Sequence, residues 1–291
     1  MGAAWCLAVV LAAATLLRAE GGGSRQAPTY SVASIVNAAS NAVGALAPNT
    51  FATIYGSNLS YATRAMAPED ISGGRLPTEL GGVRVVIDTI PAVIYYVSPG
   101  QINLLIPYIL VMMRDEKCDM SQRPEAELQL TLDGKAGPAV SIKLLEAAPA
   151  LFQSGAGTVV ATRADWSAVT EAAPARPGEV VVLFATGLGC VVLQPDYLQA
   201  PQGAAALQRL NEFSVLLDGA PLDASRILYA GVAPGFAGLY QINLKLPEKL
   251  GDNPEIRVAV GSALGSQTSP AGLRLPVRAA AGAQPATLGA R

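Results

Sequence analysis

The chain has 291 residues, with 20 Lys plus Arg against 22 Asp plus Glu and no histidine. Charged residues make up 14% and hydrophobic residues 51% of the sequence, whereas ordinary soluble domains are about 25% charged. The absence of histidine excludes Ser-His-Asp and Cys-His catalysis and imidazole metal ligands. A net charge of −2 gives no basic surface for nucleic acid, and the apolar content is too high for a disordered chain.

The first 30 residues differ in composition from the rest of the chain. An apolar run from Cys6 to Leu17 is shorter than the roughly 20 residues of a membrane-spanning helix, and Arg18 and a Gly-rich stretch follow it. This pattern predicts a cleaved secretory signal peptide at residues 1–19 and a flexible leader at 20–30. An uncleaved anchor and a misassigned start are the alternatives. We therefore expect an exported protein, located outside the cell, at the cell surface or in the periplasm, with no membrane span once the signal is removed.

Cleavage of that signal would leave two cysteines, Cys118 and Cys190. In an oxidising compartment they are candidates for a disulfide that joins the two halves of the chain. The alternative is two unpaired thiols, because a sequence does not report whether the Cα atoms lie within the roughly 7 Å that a bridge requires. Two cysteines without histidine cannot complete a structural zinc site, and we expect neither a metal nor a cofactor.

The middle of the chain contains an internal repeat with an offset of about 130 residues. Identical Gln-Ile-Asn triplets occur at 101–103 and 241–243. The matched segments, in order, are 47–59 with 175–188, 85–92 with 215–222, 96–107 with 229–247, and 126–134 with 254–262. We predict two copies of one unit, at residues 31–147 and 148–278, and a disordered tail at 279–291.

Each unit has the pattern of short strands divided by turns. Residues Leu128 to Leu132 alternate between apolar and polar, which is typical of a half-buried strand. The Asp-Gly pairs at Asp133 and Asp218 lie between apolar runs and predict type I′ hairpin turns. Short strands at such spacing, with Pro and Gly between them, predict an all-β protein of two tandem Greek-key β-sandwiches.

The two Gln-Ile-Asn strands repeat an unusual polar face. In a strand, Gln101 and Asn103 point to one side, and Gln241 and Asn243 repeat the arrangement. These amides could form a ligand-facing strip, or they could bond loop backbone and face a neighbouring sheet. Their occurrence in both copies favours the structural interpretation, because a fold corner needs duplication more than a ligand site does.

Aromatic residues near the same strands suggest a second candidate site. Tyr96 and Tyr240 could form an aromatic platform for a carbohydrate, although packing in the core or at an edge is the favoured interpretation.

The sequence offers little for catalysis. Gly187-Leu-Gly189 does not continue as a dinucleotide-binding motif. The adjacent acids Glu69-Asp70 and Asp115-Glu116 lie in polar stretches and are interpreted as solvated loop charges. A carboxylate pair for glycoside hydrolysis is not excluded by spacing alone.

Several motifs together resemble a known family. They are IVNAAS (35–40), LAPNTFATIYGSNL (46–59), LPTELGGVRV (76–85), PAVIYYVSPGQINLLIP (91–107), ARPGEVVVLFATGLG (175–189) and AGVAPGFAGLYQINLKLP (230–247). They resemble the uncharacterised C-terminal domain of exported acidobacterial proteins, which is similar to IPT/TIG immunoglobulin-like folds. The resemblance implies immunoglobulin-like sandwiches and an exported module without assigned activity. The charged segment 114–123 and Cys190 depart from the family pattern, which favours a disulfide particular to this chain.

The functional expectation is an exported, non-catalytic module for binding or structural spacing, whose partner is an unidentified protein or polysaccharide surface. The alternatives are a carbohydrate- or polymer-binding accessory module and, at a lower rank, an unconventional hydrolase that uses carboxylates.

Overall fold

A computed structural model describes residues 26–108, 110, 124–155, 157–192, 196–261 and 265–279. The predicted signal peptide, residues 20–25 of the leader and residues 280–291 lie outside the described residues. Within the described ranges, no helix is long and apolar enough to cross a lipid bilayer.

The first half of the chain folds into short strands. They are β1 (Ile35–Asn37), β2 (Phe51–Tyr55), β3 (Arg64–Ala65), β4 (Glu79–Leu80), β5 (Val83–Ile87), β6 (Ile90–Pro91), β7 (Val93–Ser98), β8 (Gln101–Leu105), β9 (Glu125–Leu132), β10 (Lys135–Ala136) and β11 (Val140–Lys143). One sheet has the order β1-β2-β8-β7-β3; the other has the order β10-β9-β5-β4, with β11 on β9 and β6 on β5. Single 3₁₀ turns lie at Val32–Ser34 and Pro68–Asp70.

The second half has a similar arrangement. Its strands are β12 (Ala150–Leu151), β13 (Gln153–Ser154), β14 (Thr158–Val159), β15 (Ala161–Arg163), β16 (Ala168–Val169), β17 (Val180–Thr186), β18 (Ala205–Ala206), β19 (Phe213–Leu217), β20 (Ala220–Pro221), β21 (Ile227–Val232), β22 (Tyr240–Lys245), β23 (Ile256–Val260) and β24 (Gln267–Thr268). One sheet has the order β16-β15-β17-β22-β21-β18, with β12 on β17; the other has the order β20-β19-β23-β24. The short strands β13 and β14 pair with each other. Two 3₁₀ turns lie at Leu210–Glu212 and Ala224–Arg226.

The hairpin turns follow from the residues that occupy them. Asp133 and Gly134 have φ of 46° and 78°, and Asp218 and Gly219 have φ of 48° and 79°. Positive φ at both central residues is the conformation that a type I′ turn requires. The two Asp-Gly turns predicted from the sequence are therefore confirmed.

Each pair of sheets encloses its own apolar core. Strand β9 buries Leu128, Leu130 and Leu132 and turns the intervening residues outward, as its alternation predicts. The chain passes from the first core to the second between Leu144 and Ala147, which belong to different clusters. The protein is all-β and consists of immunoglobulin-like β-sandwiches.

Part of the predicted leader belongs to the first sandwich. Thr29 pairs with Ser57, and the side chain of Tyr30 is buried in the first core. The hydroxyl of Tyr30 donates to the carbonyl of Pro138 and accepts from the backbone N–H of Leu130. The predicted flexible leader at 20–30 is therefore corrected at its end, because Tyr30 fills a hydrophobic site and satisfies a buried backbone group.

The two sandwiches are joined by hydrogen bonds between buried groups. The hydroxyl of Thr186 accepts from the backbone N–H of Phe51 at 2.9 Å and donates to the carbonyl of Gly238 at 3.1 Å. The side-chain amide of Asn37 donates to the carbonyl of Ala148 at 3.1 Å. Because buried polar groups need partners, these bonds fix how one sandwich lies against the other.

Close packing at this junction explains the Gly-Leu-Gly segment. Gly187 has φ of 72°, and a Cβ there would overlap the carbonyl oxygen of Ala148 and lie 3.0 Å from Oγ1 of Thr50. Glycine is needed at this position for its backbone conformation and for the approach of the other sandwich.

Candidate functional site

A cavity of about 460 Å³ lies between the two sandwiches. In β8 and β22, alternate residues point into their own cores: Ile102 and Leu104 in the first, Ile242 and Leu244 in the second. The residues between them point outward, and the outward faces of the two sheets contribute to one cavity. The site therefore belongs to the pair of sandwiches and not to either alone.

Aromatic rings form a large part of the cavity wall. Phe51 packs edge-to-face on Tyr95, with ring centroids 5.1 Å apart, and on Phe152 at 6.3 Å. The aromatic side chains of the wall are Phe51, Tyr95, Phe152, Trp166, Phe184, Tyr229 and Phe236. Edge-to-face pairs hold rings in defined orientations, so this wall is shaped before any ligand enters.

The tyrosines of the cavity direct their hydroxyls to backbone. Tyr95 donates to the carbonyl of Ala237 at 3.2 Å, and burial raises the pKa of Tyr95 well above its usual range. Tyr229 donates to the carbonyl of Val232 at 2.7 Å, and partial burial raises its pKa as well. Both residues therefore remain neutral phenols and present carbon surface to the cavity.

The polar lining comes from the repeated Gln-Ile-Asn strands. Asn103, Gln241 and Asn243 line the cavity. In each strand the glutamine amide donates to the asparagine oxygen two residues on, at 2.8 Å for Gln101 to Asn103 and 2.8 Å for Gln241 to Asn243. Thr53 also donates to the oxygen of Asn103, at 3.1 Å.

These bonds leave donors free within the cavity. Nδ2 of Asn103 and Nδ2 of Asn243 have no hydrogen-bond partner among the described residues. The oxygen of Gln241 is likewise available as an acceptor. A few polar groups within an apolar wall are typical of sites that bind small molecules.

Charge is absent from the described lining of this cavity, which contains no Asp, Glu, Lys or Arg. Of the acids singled out in the sequence, Asp70 forms an ion pair with Arg64 in the first sandwich, Glu69 lies beside it in the same 3₁₀ turn, and 115–116 lie outside the described residues. No group of three or more Cys, Asp or Glu in the described ranges is placed to hold a metal ion.

The burial of Tyr96 and Tyr240 argues against the alternative of an aromatic platform and agrees with the favoured interpretation, packing of both rings. Tyr240 is 0% exposed, and its hydroxyl donates to the carbonyl of Gly189. Tyr96 is 7% exposed and does not line the cavity. Tyr240 belongs to the core of the second sandwich, and Tyr96 is buried in strand β7, so neither can present a ring face to a carbohydrate.

Of the two cysteines that the sequence offers for a disulfide, Cys190 lies within the described residues. Cys190 is disulfide-bonded and packs against the first core. Cys118 lies outside the described residues.

Trp166 is the residue that sequence reasoning missed most clearly. It lies in the turn between β15 and β16, has φ of 67° and is 44% exposed at the cavity. The turn is held by Arg163, whose guanidinium donates to Glu179 and to the carbonyl of Ala168. A bulky residue with positive φ is uncommon and marks local strain. No apolar periodicity surrounds Trp166, so no pattern in the sequence points to a role for this residue.

Comparison with known proteins gives only distant similarities. No family model and no curated protein matches the chain. Among solved structures, it is similar to the plexin A4 full extracellular region (10% identity, TM-score 0.28), with 92% of this chain and 17% of that chain covered. It is also similar to the tandem Ig repeats of Dlar (12% identity, TM-score 0.21; 88% of this chain, 96% of that chain). A third is the N-terminal Ig1-2 module of Drosophila receptor protein tyrosine phosphatase DLAR (12% identity, TM-score 0.20; 87% and 96%). The chain thus spans about one sixth of the plexin chain, and similarities of this strength say nothing about activity.

Proposed function

We propose that this chain is an exported, non-catalytic immunoglobulin-like module that binds a ligand in the cleft between its two sandwiches. The observation that carries the proposal is that the outward faces of both Gln-Ile-Asn strands contribute to one aromatic cavity. The cavity volume lies within the range of about 300–1,000 Å³ typical of small-molecule sites.

Two features support a function without catalysis. The sequence has no histidine, and the described lining of the cavity has no carboxylate or amine that could act as an acid, base or nucleophile. A hydrolase with two carboxylates would require such groups about 5 to 9.5 Å apart.

A binding screen separates ligand binding from structural spacing. The Tm of the full chain would be measured with and without neutral aromatic ketones, oligosaccharides or peptides. The change in Tm that each compound causes would then be compared with the change in Ala204→Trp. Ala204 is exposed and lines the cavity, so tryptophan there would fill the mouth. Ala136→Trp, on the exposed strand β10, is the matched control.

Ligand binding predicts a Tm increase that is retained in Ala136→Trp and lost in Ala204→Trp. If no compound in the panel shifts the Tm of the unmodified chain, the proposal of a ligand-binding cleft fails and structural spacing takes its place.

Carbohydrate binding is the second candidate, because the exposed ring of Trp166 lies at the cavity. Trp166→Gly is a better test of it than substitution of Tyr96 or Tyr240, because both tyrosines are buried and Tyr240 belongs to the core of the second sandwich. Retained binding on a glycan array by Trp166→Gly would exclude this ring from recognition.

Export is supported by the apolar run at residues 6–17 and by the resemblance to exported proteins. Expression of the full chain in a bacterium should give an extracytoplasmic product whose N-terminal residue is Glu20. A product found only in the cytoplasm with residues 1–19 intact would contradict export.

We also propose Cys118 as the partner of Cys190. The chain contains three cysteines, Cys190 is bonded, and Cys6 lies within the predicted signal peptide.

A further inference from the structure

The shape and wall of the cavity select for a flat apolar ligand. Phe51 holds two neighbouring rings edge-to-face, and Phe184 is 5% exposed, so these walls cannot rotate away easily. A cavity of about 460 Å³ admits a molecule of two or three fused or linked rings. Burying such a surface against aromatic side chains is favourable because it removes apolar area from water.

The polar groups define where a ligand's polar atom must lie. Asn103 from the first sandwich and Asn243 from the second each present an amide N–H₂ to the cavity, because their oxygens already accept from the neighbouring glutamines. Two amide donors favour a ligand oxygen with lone pairs, such as a carbonyl. A ligand that fills the cavity without such an oxygen would shield both amide N–H₂ groups from water and leave them without a hydrogen-bond acceptor.

The lack of charged side chains in the described lining of the cavity argues against two classes of ligand. The described lining carries no ionisable side chain other than the tyrosines, whose pKa values are raised by burial. A charged ligand would lose its hydration without gaining a counter-ion. A sugar is disfavoured as well, since its many hydroxyls would meet mostly rings and only three amides.

Trp166 supplies an independent observation. Its φ of 67° is a conformation that glycine adopts without strain, and its ring is 44% exposed. Neither strain nor exposure of a large aromatic side chain stabilises a fold. Because the ring of Trp166 lies at the cavity, it can cover one face of a bound ligand. Such a role would account for both the strained φ and the exposure of the ring.

We propose that the cleft binds a neutral, flat, mainly apolar molecule that carries a carbonyl oxygen, with that oxygen bonded to Asn103 and Asn243 and a ring covered by Trp166. The proposal deepens the proposed function and rests on the cleft being a binding site.

The test uses a naphthyl ketone dye, propionyl-dimethylaminonaphthalene, whose emission shifts to the blue in apolar surroundings. The protein is the full chain with Trp5→Phe, which leaves Trp166 as its single tryptophan. We expect saturable blue-shifted emission and energy transfer from Trp166 to the dye. The energy transfer is measured only in the single-tryptophan chain; saturable blue-shifted emission should be retained in Ala136→Trp and lost in Ala204→Trp.

Two matched dyes test the chemistry of the ligand. Dimethylaminonaphthalene lacks the carbonyl and should bind about 25-fold more weakly, because it loses the hydrogen bonds from both Asn103 and Asn243, each worth about fivefold. The anionic dimethylaminonaphthoate should bind more than about tenfold more weakly, because its charge has no partner. Asn243→Leu should reduce affinity for the ketone about fivefold and leave affinity for the carbonyl-free dye unchanged.

Trp166→Gly separates a ligand role from a structural one. We expect its Tm to equal or exceed that of the unmodified chain, because glycine relieves the strained φ, while its affinity for the ketone falls at least threefold as ring contact is lost. Equal affinities for Trp166→Gly and the unmodified chain would overturn the assigned role of Trp166.

The outcomes distinguish the two levels of the proposal. Suppose that an oligosaccharide such as cellohexaose binds the unmodified chain but not Ala204→Trp, and that the ketone dye does not compete with it. The cleft is then a binding site, but the neutral ketone class is wrong. Equal binding of the ketone and the anion would also overturn the ligand class. If no dye and no oligosaccharide shows binding that Ala204→Trp abolishes, both the ligand class and the proposed function fail.

Discussion

The side-chain amide of Asn49 donates a hydrogen bond of 3.0 Å to the hydroxyl of Tyr240 and so joins the first sandwich to the core of the second. The same hydroxyl donates to the carbonyl of Gly189. Burial raises the pKa of Tyr240 well above its usual range, so the phenol stays protonated and able to donate. A tyrosine that the sequence suggested as a binding platform is instead a buried link beside the cleft.

Tyr240→Phe should lower the free energy of unfolding by about 1–3 kcal/mol, because it removes a partner from two buried polar groups. Urea denaturation measures this change. Tyr55→Phe is the control: its hydroxyl bonds Asn41 at the surface, and its loss should cost less than about 0.5 kcal/mol.

The pairing itself is tested by a double-mutant cycle with Asn49→Gly. Glycine tolerates the φ of 65° at Asn49, so this variant removes the amide without adding backbone strain. A coupling energy of at least about 0.5 kcal/mol is expected. If Tyr240→Phe is as mild as Tyr55→Phe, the bond does not join the sandwiches energetically.

Thr89→Gly should stabilise the first sandwich. Asp88 and Thr89 have φ of 45° and 72° between β5 and β6, in a turn equivalent to the one at Asp218-Gly219. A β-branched residue in this left-handed region costs about 1–2 kcal/mol, so glycine should raise the free energy of unfolding by about 1 kcal/mol. Chemical denaturation measures the gain.

The reverse change, Gly219→Thr, should destabilise the second sandwich by about 1–2 kcal/mol. Gly251→Thr is the matched control, because Gly251 has no positive φ and open space around its Cα. A Gly219→Thr variant as stable as Gly251→Thr would show that these turns store no strain.

The strands and turns could be predicted because their signals are local. Asp-Gly pairs need only their own φ values, and the alternation of residues 128–132 records burial on one side of one strand. The cavity depends on how two finished sandwiches meet, and its walls come from residues more than 100 positions apart, such as Phe51 and Phe184. Phe184 lies in a continuous apolar run, so nothing in the pattern separates a residue facing the cavity from one in the core.

The pKa of Asp70 should lie below its ordinary value of 3.8. The backbone N–H of Ala67, which donates at 2.8 Å, is the larger cause, and the guanidinium of Arg64 is the next. Because folding lowers this pKa, the stabilisation by Asp70 is present above pH 3.8 and is lost as pH falls through the lower folded value. NMR titration of the carboxyl carbon measures it directly.

Arg64→Ala should raise the pKa of Asp70 only part of the way to 3.8, since the bond from Ala67 remains. Asp223 is the internal control: its pKa is lowered by bonds from Ser225 and should not change in this variant. Complete return of the Asp70 pKa to 3.8 would mean that Arg64, and not the backbone N–H of Ala67, lowers it.

Reduction of the chain should break the disulfide at Cys190 and raise the intact mass by about 2 Da, one hydrogen for each sulfur. Proteolysis without reduction should give one cross-linked peptide that contains Cys118 and Cys190. Because Cys190 packs against the first core and lies beyond the junction with the second sandwich, the bridge would connect the two halves covalently. Cys190→Ser should therefore lower the free energy of unfolding by about 2–5 kcal/mol, whereas Cys6→Ser should leave it unchanged. An unchanged mass on reduction, or a cross-linked peptide that contains Cys6, would contradict the pairing.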